Sequence, residues 1–377
     1  MHQRIPAPRQ AALCADLPST VPFVGPEAQE RARGAKFRAR IGANESVFGP
    51  SPKVIAAMAA EAADVWMYCD PENHDLKAAI AAHHGVAPEN VMVGEGIDGM
   101  FGYTVRLFLD PGEVVATSHG AYPTFNFHVT GYGGRLAFAP YDNDREDPEA
   151  LLALARAENA RMIYLANPDN PMGSWWPASD VQSFIDRLPP GVVLCLDEAY
   201  GDFAPEGVLP KLDVSNPQVL RFRTFSKAYG MAGARVGYIL GEASVIKSFD
   251  KIRNHFGVSR IAQAGALAAI KDQAYLRDVV AKVAASKARI GEIAAQNGLE
   301  ALPSAANFVA IDCMRDGAFA KRVLSALLVR DVFVRMPGIA PLDRCIRVSV
   351  GLPADLALFA GTLPLALAQA SKADTRS

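Results

Sequence analysis

From about residue 90 onward the sequence alternates short apolar, β-branched runs with longer Ala-rich stretches of helical period, and this alternation most narrows what the chain can become. A short apolar run suits a strand buried on both faces, and the helical stretches between such runs cover it. The pattern therefore predicts an α/β fold with a mostly parallel sheet flanked by helices. Candidate strands are Val91 to Val93, Glu113 to Thr117, Arg161 to Ala166, Val192 to Asp197, Leu220 to Thr224 and Val236 to Leu240, each bounded by Gly, Pro, Asn or Asp. Candidate helices are Pro52 to Ala63, Leu76 to His83, Asp98 to Leu109, Ala178 to Arg187 and the long Gln273 to Asn297.

After that long helix the texture changes. NFVAIDC, VFVRM and CIRVSVG read as strands separated by two helical stretches, which predicts a smaller α+β domain. The expected organisation is a large domain over residues 46–271 and a small domain over 272–377. Residues 1–45, rich in Pro, Arg and Ala without a clear period, form an arm that joins the small domain.

Composition excludes several classes of function. The 38 basic residues nearly cancel the 40 acidic ones, leaving a formal charge of -2 over 377 residues. That balance offers no field to hold a nucleic acid or an anionic membrane. No apolar run approaches the ~20 residues that cross a bilayer, and the opening MHQRIPAPRQ lacks the unbroken apolar stretch of a signal peptide. A cytoplasmic location is expected. Cys14, Cys69, Cys195, Cys313 and Cys345 are scattered singly, as reduced thiols are, and no metal site is expected. Cys195 lies inside an apolar run and is expected in the core. The pair His83-His84 is expected at an exposed helix end.

In an open parallel sheet the ligand lies beyond the carboxyl ends of the strands. Three candidate strands end informatively: one runs into Asn167-Pro168, one into Asp197-Glu198-Ala199-Tyr200, and one into Ser226-Lys227. An amide, an acid with a phenol three residues on, and an amine then converge on one crevice. Arg235, eight residues after Lys227, and the closely spaced Gly230, Gly233 and Gly237 make an anion site beside that amine. Upstream, VMVGEGIDGMFGYTVRLF is a strand, a Gly turn and a helix, an arrangement that aims backbone N–H groups at a phosphate. Gly94, Gly96 and Gly99 also satisfy GxGxxG, which raises the alternative of an NAD-dependent dehydrogenase. That fingerprint needs an acid ending the next strand, and EVVATSHG ends in Thr117-Ser118-His119 instead.

NPDNPMGS at 167–174, DEAYGDF at 197–203 and RTFSKAYGMAGARVGY at 223–238 resemble the successive motifs of fold type I pyridoxal-phosphate aminotransferases, most closely the histidinol-phosphate aminotransferase branch. The likeness continues through ANESVFGPSP at 43–52, MYCDP around Tyr68, LDPG at 109–112, ANFV at 306–309 and CIRVSVG at 345–351, so it covers nearly the whole chain.

The resemblance implies roles residue by residue. Lys227 is the lysine that bonds covalently to pyridoxal 5'-phosphate, and Asp197 is the carboxylate that pairs with its ring nitrogen and keeps it protonated. Asn167 and Tyr200 hydrogen-bond the phenolic oxygen, and Phe125 stacks on the ring. Gly96, Ile97, Asp98, Thr224, Ser226 and Arg235 hold the phosphate, with Tyr68 reaching in from the second subunit of a homodimer. Arg347 grips the substrate's α-carboxylate, Arg335 meets a substrate phosphate, and Asn44 and Phe23 lie near the substrate. The implied activity is ping-pong transamination between an L-amino acid or L-histidinol phosphate and 2-oxoglutarate. Aromatic amino acid transamination and decarboxylation of an amino-acid phosphate are the alternatives on the same fold. A cofactor-binding regulator is disfavoured, since the sequence shows no DNA-binding segment. The pattern departs from the branch at Ser46-Val47, Cys69 and Met172, all of which bear on substrate rather than reaction.

Overall fold

The computed structural model describes residues 7–15, 17–19 and 24–374. At its centre is a seven-stranded sheet. We number its strands β1 (Val91–Gly94), β2 (Val114–Ser118), β3 (Arg135–Ala139), β4 (Met162–Ala166), β5 (Val193–Asp197), β6 (Val219–Thr224) and β7 (Gly237–Leu240). Their spatial order is β1-β7-β6-β5-β4-β2-β3. All neighbours run parallel except β7, which is antiparallel to both β1 and β6. The reason lies in the connection: a parallel return needs a crossover helix, and residues 225–236 supply only a loop and one short 3-10 turn, Ala232–Ala234. That loop carries Ser226, Lys227 and Arg235.

Every residue of β4 and β5 is buried, as expected of strands covered on both faces. One face packs under the helix Gly96–Phe108, with Phe101, Phe125, Tyr164, Cys195 and Phe222 in a single cluster. The other face is covered by the helices Pro148–Ala157 and Ala178–Asp186.

A second unit is built on a three-stranded antiparallel sheet of Glu300–Ala301, Phe308–Asp312 and Cys345–Ser349, covered by the helices Gly317–Leu328 and Pro353–Asp374. Ala39–Arg40 pairs in parallel with Val332–Phe333, and Ile41 enters the same core, which ties the N-terminal segment to this unit. The long helix Gln273–Gln296 spans both cores: Leu276, Val279 and Val283 pack with the large sheet, Ile290 and Ile293 with the smaller one.

Some expectations need correction. The strand β3 and the helices Pro26–Arg33, Pro123–Gly131, Pro148–Ala157 and Arg260–Lys271 were not anticipated by the apolar runs. Pro353–Lys372 is long and apolar enough to cross a membrane by length and composition. Its Leu356, Phe359, Leu363 and Ala366 are buried in the small core, which makes it a packing helix. His84 is not at an exposed end either. It turns inward against the Tyr238 hydroxyl at 2.9 Å, where burial first and Arg223 second push its pKa down to about 3.

Candidate active site

The carboxyl ends of β4, β5 and β6 meet the β6–β7 loop at one crevice, and the residues expected there converge on it. Asp197 ends β5 and is only 6% exposed. Its Oδ2 accepts the Tyr164 hydroxyl at 2.8 Å and its Oδ1 accepts the Ala199 amide at 2.9 Å. Burial pushes its pKa up to about 6, against the pull of these two hydrogen bonds and of Lys227. No arginine, lysine or histidine forms an ion pair with it among the described residues.

Lys227 is half-buried, its Nζ donating to the Asn44 carbonyl at 3.2 Å and lying 5.5 Å from the centre of the Tyr200 ring. Asn44 is the hinge of this cluster. It adopts a left-handed φ of 56°, its Nδ2 donates to the Tyr200 hydroxyl at 3.0 Å, and its Oδ1 accepts the Ser349 hydroxyl at 2.9 Å. The N-terminal segment, the large sheet and the smaller sheet thus meet at one amide.

The residues expected to hold a phosphate also lie together. Gly96 opens its helix at a φ of +82°, and a Cβ there would come within 2.3 Å of Arg235 Nη2, so only glycine leaves the guanidinium its place. Arg235 Nη1 donates to Ser226 Oγ at 3.3 Å, and the Ser226 amide donates to Thr224 Oγ1 at 3.0 Å. Ile97 and Asp98 sit in the first helical turn, where backbone N–H groups have no intrahelical partner. Asp98 accepts the Tyr122 hydroxyl at 2.9 Å and lies 3.9 Å from Arg235 Nη2.

Two side chains expected at the cofactor are enclosed by the protein's own groups. The Asn167 carboxamide is fully buried, its Nδ2 donating to the Trp176 and Val208 carbonyls at 3.2 and 3.1 Å and its Oδ1 accepting the Trp176 amide. It braces the loop rather than facing the crevice. Three residues on, Asn170 is half-buried and its Oδ1 accepts from Arg347 Nη1, so this is the amide of the loop that reaches the site. Phe125 is likewise fully enclosed, stacked on Tyr164 with ring centres 4.6 Å apart. A ring with no polar handle lowers its free energy most by leaving water altogether, and it does so behind Asp197.

Arg347 lies with its guanidinium 5.1 Å from the Phe308 ring, and Arg335 bridges to it through the backbone. Burial pulls the pKa of both below the usual arginine value. Tyr68 stands 80% exposed with its ring against Phe256. Phe23 lies outside the described residues. Sequence reasoning missed Tyr164, although it lies on the same face as Asp197: Ala166 is the register partner of Asp197, and Tyr164 precedes it by two.

The family model for aminotransferase class I and II matches residues 40–361. The chain belongs to this family. Histidinol-phosphate aminotransferase 2 of Carboxydothermus hydrogenoformans is 35% identical over 358 residues, covering 93% of this chain and 97% of the relative. The protein of the same name from Ralstonia nicotianae is 35% identical over 337 residues, covering 89% of this chain and 90% of its own. Among solved structures, the histidinol-phosphate aminotransferase of Sinorhizobium meliloti in complex with pyridoxal-5'-phosphate superposes with a TM-score of 0.93 at 54% identity, covering 96% of this chain and 98% of that one. The fold is therefore that of the fold type I aminotransferases, and family membership sets aside the dinucleotide-binding alternative.

The residues present fit pyridoxal phosphate. A buried carboxylate without an ion-pair partner suits a protonated ring nitrogen, and the Gly96–Arg235 cradle suits a phosphate.

Proposed function

We infer that this chain is a pyridoxal-phosphate-dependent aminotransferase that moves an amino group between L-histidinol phosphate and 2-oxoglutarate. The observation that carries the reading is the convergence of Lys227, the ion-pair-free Asp197 and the Gly96–Arg235 cradle on one crevice. The relatives and the Sinorhizobium meliloti structure support the choice of donor.

When bound, pyridoxal phosphate supplies an electrophilic carbon and a ring that accepts electrons from the bond broken at the donor's Cα. Asp197, gripped by Tyr164 and the Ala199 amide, presents negative charge to the ring nitrogen from a water-poor pocket, where such charge acts strongly. Thr224, Ser226, Arg235 and the first helical turn hold the phosphate. Lys227 is both the covalent anchor and the base that carries the Cα proton, and Asn44 keeps its Nζ at the crevice. Tyr200, whose hydroxyl accepts from Asn44 Nδ2, takes the phenolic oxygen. Arg347 offers a planar fork to the anion of the donor and to a carboxylate of the acceptor, fixing the Cα–H bond, and Arg335 offers a second to the donor's phosphate.

A homodimer completes the reading. Trp66 is 79% exposed and Tyr68 80%, beside exposed Val65 and Phe256. A second copy of the chain is the occupant that would bury this surface and bring Tyr68 of the partner subunit to the phosphate. Sedimentation of the wild type and of Trp66→Asp tests it, with a dimer expected for the first and a monomer for the second.

The deciding experiment is a single-turnover screen of amino donors, following the visible absorbance of the bound cofactor. Histidinol phosphate is expected to react fastest. A faster reaction with an aromatic amino acid, or release of carbon dioxide from an amino-acid phosphate, overturns the assignment of donor. No absorbance change with any donor overturns the activity.

A further inference from the structure

Asn44 and Ser349 meet where the N-terminal segment crosses the end of the small sheet, and each is only 2% exposed. The Ser349 amide donates to the Ile41 carbonyl at 2.8 Å, which ties that segment to the strand Cys345–Ser349. Asn307, just ahead of the strand Phe308–Asp312, donates its Nδ2 to the Asn44 and Glu45 carbonyls, each at 3.2 Å. The backbone at Asn44 is thus held from two sides.

The directions of the hydrogen bonds here follow from which groups can donate. The Asn44 backbone N–H can only donate, and it donates to Ser349 Oγ at 3.0 Å. The Ser349 hydroxyl hydrogen then needs an acceptor, which it finds in Asn44 Oδ1 at 2.9 Å. With its oxygen so engaged, the Asn44 carboxamide turns its Nδ2 to the Tyr200 hydroxyl oxygen at 3.0 Å, where it can only donate. The reverse placement of the amide would bury the serine hydrogen without an acceptor, a penalty that folded interiors avoid. Tyr200 is therefore the acceptor toward Asn44, and its own hydrogen points elsewhere. Tyr200 is 3% exposed, and Asn44 is the sole hydrogen-bond partner of its hydroxyl among the described residues. A buried donor is left unspent, on a ring whose centre lies 5.5 Å from Lys227 Nζ.

We propose that Ser349 is a positioning residue that sets the direction of this relay through Asn44 and thereby makes Tyr200 a hydrogen-bond donor into the crevice. On the reading given above, on which this inference rests, the acceptor is the phenolic oxygen of pyridoxal phosphate. Each link polarises the next, so the Asn44 amide also strengthens the Tyr200 hydroxyl as a donor. Without the serine hydroxyl, Asn44 Oδ1 lies buried with no donor and competes for the Tyr200 hydrogen, drawing it away from the crevice. Ser349 stands two residues from Arg347, on the same side of its strand. One element thus carries both the arginine assigned to the substrate anion and the group that directs Tyr200.

The probe is the bound cofactor in the resting holoenzyme, its visible absorbance titrated against pH with no substrate present. A donor to the phenolic oxygen offsets the negative charge that holds a proton beside it, so losing that donor raises the midpoint. Tyr200→Phe is expected to raise it by roughly one pH unit, the worth of a hydrogen bond to a charged group. Ser349→Ala is expected to raise it by about half a unit, and to add nothing in a Tyr200→Phe background, where no hydroxyl remains to direct. Asn44→Asp tolerates the left-handed backbone, and its carboxylate can only accept. It is expected to capture the Tyr200 hydrogen and to raise the midpoint more with the Tyr200 hydroxyl present than without it. An unchanged midpoint in Ser349→Ala or in Tyr200→Phe, or equal shifts with and without the Tyr200 hydroxyl, overturns the relay and leaves the cofactor in place. Should Ser349→Ala fail to fold, the Asn44→Asp comparison decides by itself. A wild-type protein with no visible band overturns the cofactor reading and the relay with it.

Discussion

Tyr164 donates its hydroxyl to Asp197 Oδ2 at 2.8 Å from the neighbouring parallel strand, so the acid at the end of β5 is held by a phenol from β4. The bond favours the ionised acid, while burial opposes it and wins, leaving the pKa at about 6. Removing the phenol in Tyr164→Phe takes away a hydrogen bond to a charged group and raises that value further, by roughly one pH unit. The expected result is that cofactor affinity, titrated against pH, falls off on the acid side near pH 6 in the wild type and about one unit higher in the variant. Coincident curves would separate Asp197 from cofactor binding.

The same acid governs the pH dependence of stability in the cofactor-free protein. Its folded pKa is raised from 3.8 to about 6, so its contribution is fully present below the lower value and is lost as pH rises through the upper one. Asp197→Asn removes that loss. The variant is expected to be more stable than the wild-type apoprotein at pH 8 by on the order of 3 kcal/mol, and to show no such gain at pH 3. Denaturant unfolding at the two pH values measures it. Turnover should nevertheless fall by roughly a hundredfold or more, because the pre-organised negative charge is gone.

Glu198, the next residue, points to the opposite face of the sheet and is clamped by arginines of β6. Its Oε1 accepts Arg221 Nη2 at 2.5 Å and its Oε2 accepts Arg223 Nε at 2.9 Å, with Glu198 and Arg221 both buried. Despite burial these partners hold its pKa below 4.5, so its stabilisation is present above that value and is lost as pH falls through the folded one. Glu198→Ala strands buried guanidinium charge and is expected to lower the unfolding free energy at neutral pH by about 3–5 kcal/mol. A loss near that of a surface pair, about 1 kcal/mol or less, would contradict this account.

These relationships show where the sequence was informative. The strands β4 and β5 were legible because burial on both faces writes an unbroken apolar run, and Asp197, Lys227 and Arg235 were legible because each closes or follows such a run. The strand β3 was not, since its exposed edge positions admit Arg135 and interrupt the run. Asn167 and Asn170 lie three residues apart in one loop, and no local pattern says which amide braces the backbone and which faces the crevice. That choice is made by Trp176 and Val208, which reach Asn167 from later in the chain. Phe125 illustrates the same limit: an aromatic beside a strand end is compatible with stacking on a ligand or on Tyr164, and only the packing decides.

Gly96 offers a test of the phosphate cradle. A residue at a φ of +82° pays the left-handed penalty of about 1–2 kcal/mol unless it is glycine. In Gly96→Ala the added methyl would also displace Arg235, whose Nη2 lies 2.3 Å from the ideal Cβ position. Cofactor affinity is expected to drop at least tenfold, by about 1.4 kcal/mol or more. Fluorescence titration of the apoprotein measures it, and an unchanged affinity would place the phosphate elsewhere.

Arg335 and Arg347 face each other across an antiparallel bridge, the Arg347 amide donating to the Arg335 carbonyl at 2.6 Å and the Arg335 amide to the Arg347 carbonyl at 3.1 Å. Directly opposed residues project to the same side of a ladder, which brings two guanidinium-bearing side chains together against burial and mutual repulsion. A phosphate monoester, carrying up to two charges, relieves both penalties better than a carboxylate does. Arg347 is also tied to Asn170 in the crevice, whereas Arg335 donates to the Val24 carbonyl at 2.8 Å at the outer side. The two should therefore divide by substrate. Arg347→Gln is expected to lower kcat/KM for both histidinol phosphate and glutamate by roughly 10- to 100-fold, the worth of hydrogen bonds to a charged group. Arg335→Gln should produce a loss of that size for histidinol phosphate and little for glutamate. Steady-state kinetics with each donor distinguishes them, and equal losses for both donors in Arg335→Gln would mean that the phosphate is not what Arg335 meets.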